Sequence, residues 1–245
     1  MSVFTVYPAI DLRGGRVVRL VQGDPQRQTV FSDDPGAMAR HWIAAGAKWL
    51  HVVNLDGAFE EQDNLNREAI GQILHATQSF QPPPGVQLGG GLRTFADIEQ
   101  AFALGVRRVI LGTAAVEAPE VLAAALRKYT PARIAVAVDV KDGRVRLRGW
   151  VDESQVEPLS LCKNLAGQGV AQIIYTDVSR DGTGSGLNLV AATTIAQATG
   201  LSVVASGGVR SLEDVRQVRA AGLAGVIIGR ALYNGAISLV EALAC

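Results

Sequence analysis

The sequence predicts an α/β protein, a (β/α)8 TIM barrel built from two homologous half-barrels, and three observations support this fold class. Eight short apolar runs alternate with eight helical patterns along the 245 residues. The runs are continuously apolar, as expected for parallel strands that are covered on both faces. A glycine turn followed by a helix recurs at one spacing in both halves of the chain. Barrels of this class commonly take about 250 residues in one domain.

The first half of the chain contains four strand–helix units. Asp33-Asp34-Pro35 marks a helix start, since acidic residues favour the cap and proline the first turn. Pro82-Pro83-Pro84-Gly85 ends the next helix. Barrel strands are predicted at residues 3–10, 49–54, 86–88 and 108–111, a short additional strand at 16–21, and helices at 35–45, 64–77, 94–104 and 119–127.

The second half repeats this order. Asn188 is a typical helix cap, and a glycine-rich loop at residues 181–186 separates that helix from the strand before it. Barrel strands are predicted at 134–138, 172–176, 201–205 and 225–228, a short additional strand at 144–148, and helices at 157–166, 189–199, 212–221 and 231–243.

Residues 90–114 match residues 207–231 at a constant offset of 117. The pair Gly90-Gly91 corresponds to Gly207-Gly208, and both copies continue to a second glycine without a gap. A gapless match of this length indicates a duplication. We therefore predict one domain over residues 1–245 with half-barrels at about 1–120 and 121–245. An open doubly wound sheet is the alternative, but a repeat of four units plus four favours closure.

Composition excludes several classes of function. The 23 basic and 23 acidic residues cancel, so no basic face for nucleic acid is expected. Two cysteines suit a reducing compartment. No apolar run reaches membrane-spanning length, and the N-terminus lacks the pattern of a secretory signal. The three histidines show no metal-ligand spacing, and no dinucleotide or P-loop pattern occurs. We expect a cytoplasmic monomer without metal, cofactor or membrane contact.

Active sites of such barrels lie at the C-terminal ends of the strands. Asp11 and Asp139 are each predicted to end a barrel strand, 128 residues apart, and Asp181 follows the sixth strand. A carboxyl group at the rim of an apolar barrel has its pKa raised by desolvation, which suits a general acid or base. An Asp that merely caps the next turn is the alternative, and Asp177 is expected to be structural.

The repeated glycine turns predict two anion sites. Glycine lets backbone N–H groups converge on an anion at the start of a helix. Two such sites suit a ligand with a phosphate at each end, although glycine also closes turns without any ligand. His51, inside the second barrel strand, is expected to be a core histidine more often than a catalyst. The predicted phosphate-binding residues are Gly90, Gly91, Gly112, Thr113, Gly207, Gly208, Gly229 and Arg230.

The chain resembles the ProFAR isomerase family of histidine biosynthesis over essentially its whole length. The resemblance is carried by residues 8–12 (PAIDL), 17–24 (VVRLVQGD), 87–93 (QLGGGLR), 149–150 (GW) and 176–183 (TDVSRDGT). It implies a barrel of two half-barrels, a substrate with two phosphates, and an Amadori rearrangement of an aminoaldose to an aminoketose. That chemistry needs no metal or redox cofactor, because the iminium intermediate is the electron sink.

By the same likeness, the resemblance implies a role for each matching residue. Asp11 would be the base and Asp181 the acid, and Asp139 and Thr176 would position the substrate. It also implies that Arg19 contacts substrate. For Trp150 it implies a place on a loop that closes over the substrate. One departure from the family pattern is Asn54, where the family usually has Asp, so an ionic role there is lost or passes to Asp56.

Three alternatives stay open. Arg148 resembles the substrate-binding arginine of bifunctional homologues that also isomerise phosphoribosylanthranilate in tryptophan biosynthesis. The related cyclase of imidazole glycerol phosphate synthase shares the repeat and both aspartates, but normally carries a Cys-Leu-Asp-type first strand and a nearby lysine. The third alternative is a phosphosugar-binding barrel without catalysis.

Overall fold

Eight parallel strands form a closed barrel in the computed structural model, which describes residues 4–245. Each barrel strand pairs with the next one along the chain, and the last pairs with the first. The barrel strands are β1 (Thr5–Arg13), β4 (Trp49–Asn54), β5 (Gly85–Gly89), β6 (Arg108–Leu111), β7 (Ile134–Lys141), β10 (Gln172–Asp177), β11 (Ser202–Ser206) and β12 (Gly225–Ile228). The other strands are β2 (Arg16–Val21), β3 (Asp24–Ser32), β8 (Arg144–Leu147) and β9 (Asp152–Glu153).

Helices cover the outside of the barrel, and each barrel strand is followed by at least one. They are α1 (Pro35–Ala44), α2 (Leu55–Ala58), α3 (Asn64–Gln78), α4 (Phe95–Leu104), α5 (Thr113–Glu117), α6 (Pro119–Lys128), α7 (Pro158–Gly167), α8 (Leu189–Thr199), α9 (Leu212–Ala220), α10 (Arg230–Tyr233) and α11 (Leu239–Ala244), with a 3-10 turn at Pro131–Arg133. Within residues 4–245, no helix is both long enough and apolar enough to cross a membrane. The predicted α/β barrel class is confirmed.

Two apolar clusters hold the barrel together. The larger one lies between the strands and the surrounding helices, and it includes fully buried Leu50, Ile98 and Ile173. The smaller one fills the barrel interior below its mouth with Tyr7, Ala9, Ile110, Ala135, Ile174, Val204 and Ile227. The interior is therefore a packed core and not a pore, so any ligand is confined to the layer above it.

The structure differs from the sequence predictions at several places. β3 was not predicted because its sequence is polar and its outer face is exposed, so no apolar run marks it. β1 and β7 continue two residues past Asp11 and Asp139, because each turns back into an antiparallel hairpin with β2 or β8. The last predicted helix is interrupted at residues 234–238 between α10 and α11. The start of the first predicted strand, Val3, lies outside the described residues.

Candidate active site

All fifteen residues predicted to bind or act on a ligand line a single cavity at the C-terminal mouth of the barrel, with a volume of about 460 Å³. The cavity floor is formed by side chains of the inner core, among them Ala9, Ile174 and Ile227. A space of this size matches the usual range for small-molecule sites. The elements that supply its wall come from all eight strand–helix units.

Asp11 is held by an arginine on the neighbouring hairpin strand. Arg19 donates from Nη1 to Asp11 Oδ2 at 2.5 Å and from Nη2 to the backbone oxygen of Ala9 at 2.7 Å. The Tyr233 ring lies 5.0 Å from the Arg19 guanidinium, and the Tyr233 hydroxyl donates to the same Ala9 oxygen at 2.8 Å. Burial raises the pKa of Asp11, and the adjacent Arg19 charge opposes that rise.

Asp139 lies across the barrel from Asp11 and is bound by two neutral donors. Thr176 is opposite Asp139 in the register of β7 and β10. Burial raises the pKa of Asp139, while hydrogen bonds from Trp150 and Thr176 oppose the rise. The Trp150 ring also packs against Gly23 in the β2–β3 turn. Trp150 therefore joins the two hairpins across the mouth of the cavity.

Asp181 lies on the loop after β10 and is kept in place through its backbone, since its carbonyl oxygen accepts from Gln22 N at 3.2 Å. Burial raises the pKa of Asp181 to about 7, and the negative charge of Asp11 adds to the rise. Of two neighbouring carboxyls, the one with a direct guanidinium partner loses its proton first. The Arg19 guanidinium therefore favours the ionised form of Asp11, while Asp181, with a pKa of about 7, is partly protonated near neutral pH, an arrangement that suits a base and an acid in one cavity.

The raised pKa of Asp181 predicts a pH-dependent cost in stability. The ordinary Asp value is 3.8 and the folded value about 7, so the folded state binds more protons than the unfolded chain between them. Stability therefore falls as pH rises through this window, by about 2 to 4 kcal/mol. We expect Asp181→Asn to escape this loss and to unfold at higher denaturant than the parent at pH 8. At pH 4 the two proteins should have similar midpoints; an equal difference at both pH values would contradict the assignment.

Two glycine turns on opposite sides of the cavity have the same geometry. Gly90 has φ +93° and Gly207 has φ +86°. A Cβ on Gly90 would lie 2.1 Å from the backbone oxygen of Asn54, and one on Gly207 would lie 2.6 Å from that of Asp177. Both turns thus need a residue without a side chain, because the chain has to pass directly over the preceding strand end.

The helices after these turns begin in the same way in both halves. Thr94 and Ser211 each accept from the backbone N–H three residues on, and Asp97 and Asp214 reciprocate, forming two capping boxes. In each half, the same carboxylate also accepts from the preceding arginine's backbone N–H, at 3.0 and 2.9 Å. Asp97 and Asp214 therefore fasten each glycine turn to its helix.

The other half of each predicted anion site is a short helix start. Gly112 caps α5 with φ −104° and ψ −99°, and Gly229 caps α10 with φ −105° and ψ −105°. The first N–H groups of a helix have no acceptor within it, and here Thr113 and Arg230 hold those positions facing the cavity. The Arg230 guanidinium donates to the carbonyl of Gly182 in the Asp181 loop.

Arg148 lines the cavity but its charge is already paired. Its guanidinium lies 3.2 Å from Glu117 and 3.5 Å from Asp152 and is about half exposed. A ligand contact from this group would replace one of those pairs. Arg146, two residues earlier, lines the same cavity. Its side chain is only 12% exposed, and its guanidinium pairs with Glu153 at 2.9 Å. The sequence analysis did not single out Arg146, because at the offset of 128 between the two halves the residue that corresponds to Arg19 is Leu147.

Asn54 serves as a structural amide at the end of β4. Its Oδ1 accepts from Gly57 N at 3.1 Å and from Asn66 Nδ2 at 2.8 Å, while its Nδ2 donates to Asp63 at 2.9 Å. A carboxylate at this position would face Asp63 without a donor between them. Asp56 accepts from Gly14 N at 2.9 Å and lies outside the cavity lining, so it does not take over a role at the site.

Comparison with known proteins gives a consistent result. A family model described as histidine biosynthesis protein matches residues 5–238. A protein of Dinoroseobacter shibae is 48% identical over 241 residues, covering 98% of both chains, and one of Roseobacter denitrificans is 47% identical over 239 residues, covering 97% of both. A protein of Geotalea daltonii is 48% identical over 242 residues, 98% of this chain and 96% of its own. All three are named 1-(5-phosphoribosyl)-5-((5-phosphoribosylamino)methylideneamino) imidazole-4-carboxamide isomerase.

Proposed function

This chain belongs to the histidine biosynthesis protein family, and we propose that it converts the aminoaldose ProFAR to the aminoketose PRFAR with Asp181 as general acid and Asp11 as general base. It is an enzyme of the isomerase class. One observation carries the assignment of roles: a carboxyl paired with a guanidinium and a second carboxyl with a raised pKa share a cavity that lies between two matching glycine turns. The related cyclase is not favoured, because the relatives above are named isomerases.

Ring opening comes first and requires an acid. Asp181 gives its proton to the ring oxygen of the phosphoribosylamine, and the C1–O bond breaks with its electrons going to that oxygen. The amine nitrogen supplies an electron pair to C1, which forms an iminium. A carboxyl with a pKa of about 7 is suited to this step, because it is protonated near neutrality yet still acidic enough to transfer the proton.

Proton removal from C2 follows and requires a base. Asp11 takes the C2 proton, the C–H electrons form the C1=C2 double bond, and the iminium electrons return to nitrogen. The resulting enolamine ketonises when C1 gains a proton and the C2 hydroxyl loses one. Arg19 lies 2.5 Å from Asp11, where its charge favours the ionised form and its hydrogen bond fixes the carboxylate's direction, which the transfer geometry needs.

Binding at the ends of the substrate orients its middle. We assign one phosphate to Gly90, Gly91, Gly112 and Thr113, and the other to Gly207, Gly208, Gly229 and Arg230. Backbone N–H groups at glycine turns and helix starts suit such anions. Asp139 and Thr176 hold the sugar between them, and Trp150 covers it. Energy from the remote phosphates thus holds the reacting carbons against the two carboxyls.

The test is a spectrophotometric assay of the purified protein with ProFAR at several pH values. We expect turnover, and kcat/KM should fall as pH rises above about 7, because Asp181 loses the proton it has to donate. Phosphoribosylanthranilate in a parallel assay tests the bifunctional alternative. Absence of turnover with ProFAR at every pH, while the protein binds it, would support the non-catalytic alternative.

The remaining features of the proposal concern the state of the protein. We infer a cytoplasmic monomer whose ligand is a bisphosphorylated small molecule and which uses no metal or cofactor. Cys162 is buried and free, and Cys245 is free as well, which suits a reducing compartment. Size-exclusion chromatography with light scattering tests the monomer; a mass of twice 25.8 kDa would contradict it.

A further inference from the structure

His51 lies on β4 inside the barrel, where the mechanism above gives it no role. It is opposite Ala9 in the register of β1 and β4, while Asp11 is opposite Val53. His51 is therefore one inward-facing position below Asp11. The side chain is 9% exposed and lines the cavity. Other residues that line the cavity floor, such as Ile174, are apolar.

A chain of hydrogen bonds determines which ring nitrogen of His51 carries the proton. Arg108 has only donors, and its Nη1 lies 3.0 Å from Gln87 Oε1. The other end of the Gln87 amide is therefore NH₂, and it lies 3.0 Å from His51 Nδ1. Nδ1 has to accept that bond, so in the neutral ring the proton is on Nε2.

The ring also stays neutral. Burial, together with the positive charge of Arg19, lowers the pKa of His51 to about 3. A proton on Nδ1 would in addition face the NH₂ group of Gln87. Among residues 4–245, no acceptor forms a hydrogen bond with His51 Nε2, and this atom is not among those that are fully buried without a partner. Its N–H is thus open to the cavity.

We propose that the Nε2–H of His51 donates a hydrogen bond to a hydroxyl oxygen of the ribose that is isomerised, at the level just below Asp11. The inference rests on the proposed function, because it assigns a partner within that same site. When Asp11 removes the C2 proton, the electrons of the C–H bond move towards the iminium nitrogen, so the hydrogen bond from His51 acts by positioning. It fixes the ribose so that C2 lies against Asp11. A neutral ring also leaves Arg19 as the cation next to Asp11.

Two substitutions separate this role from a structural one. The amide oxygen of His51→Asn takes the place of Nδ1, so the bond from Gln87 is kept, while its NH₂ falls near the place of the ring carbon Cδ2 and does not reach that of Nε2. The amide nitrogen of His51→Gln takes the place of Nε2 and keeps the donor into the cavity. We expect His51→Asn to lower kcat/KM for ProFAR about 100-fold, because the ribose is no longer held in place, and His51→Gln less than about 10-fold. His75→Asn, at an exposed position, is the control and should be unchanged.

Nitrogen NMR of the histidine-labelled protein gives a readout that does not depend on turnover. The chain has three histidines, and we expect His51 to show a protonated Nε2 and a bare Nδ1, with the Nε2 resonance moving when PRFAR binds. A proton on Nδ1, an unmoved Nε2 resonance, or His51→Asn within threefold of the parent enzyme would overturn the inference. An inactive parent enzyme would instead overturn the proposed function.

Discussion

Asp181→Asn and Asp11→Asn are each expected to lower kcat for ProFAR by about 10³-fold or more, since each removes one of two proton transfers. The substrate should still bind with an affinity within about tenfold of the parent protein, because neither change touches the two glycine turns. The variants should differ in pH dependence. Asp181→Asn should lose the fall in rate above about pH 7 that belongs to its carboxyl group, and Asp11→Asn should keep it in its residual rate.

Asp33→Asn is the matched control, because Asp33 is an exposed aspartate before α1 and lies outside the cavity. It should leave kcat and affinity unchanged. Affinity is measured by calorimetry and kcat in single-turnover experiments, so that product release does not mask the chemical step. Equal loss of affinity and kcat in both variants would mean that the two aspartates bind substrate and do not transfer protons. Retained turnover in either variant would mean that a group other than the substituted aspartate transfers that proton.

Much of the barrel was predictable because its determinants are local. β12 has the predicted bounds, 225–228, since it is an unbroken apolar run before a glycine. Asn188, predicted as a cap, accepts from Ala191 N at 3.3 Å. Elements without an apolar run, such as β3, carry no such pattern. The homology of the half-barrels stays a prediction, which the paired geometry of Gly112 and Gly229 supports but does not test.

The site was predictable as a set of positions but not as an electrostatic arrangement. Strand ends and glycine turns place Asp11 and Asp181 at the barrel mouth from sequence alone. The electrostatic difference between them depends on Arg19 lying 2.5 Å from Asp11, which is a contact across a hairpin. The tautomer of His51 depends likewise on Gln87, on another strand. Such contacts form only when the barrel closes and brings separate strands together, so no spacing in the sequence predicts them.

The glycine turns give the second large expected effect, which falls on stability. Gly90→Ala would place a Cβ 2.1 Å from the Asn54 oxygen, and Gly207→Ala would place one 2.6 Å from the Asp177 oxygen. Real Cβ atoms do not approach so closely, and both neighbours are backbone atoms at strand ends that cannot move aside alone. We expect each variant to lose about 4 kcal/mol or more of unfolding free energy in urea, which is the range of severe steric and strain effects.

The control glycines also have positive φ, but an added Cβ there would not collide with any neighbour. Gly105 has φ +108° and Gly222 has φ +72°, and a Cβ on either would meet nothing within 4 Å. Gly105→Ala and Gly222→Ala should therefore lose only the about 1–2 kcal/mol that a left-handed backbone costs an alanine. If Gly90→Ala were no less stable than Gly105→Ala, the turn would have to relax away from Asn54. The backbone N–H groups of this phosphate site, at residues 90, 91, 112 and 113, would then no longer converge. Affinity for a bisphosphorylated ligand should fall even though the barrel stays folded.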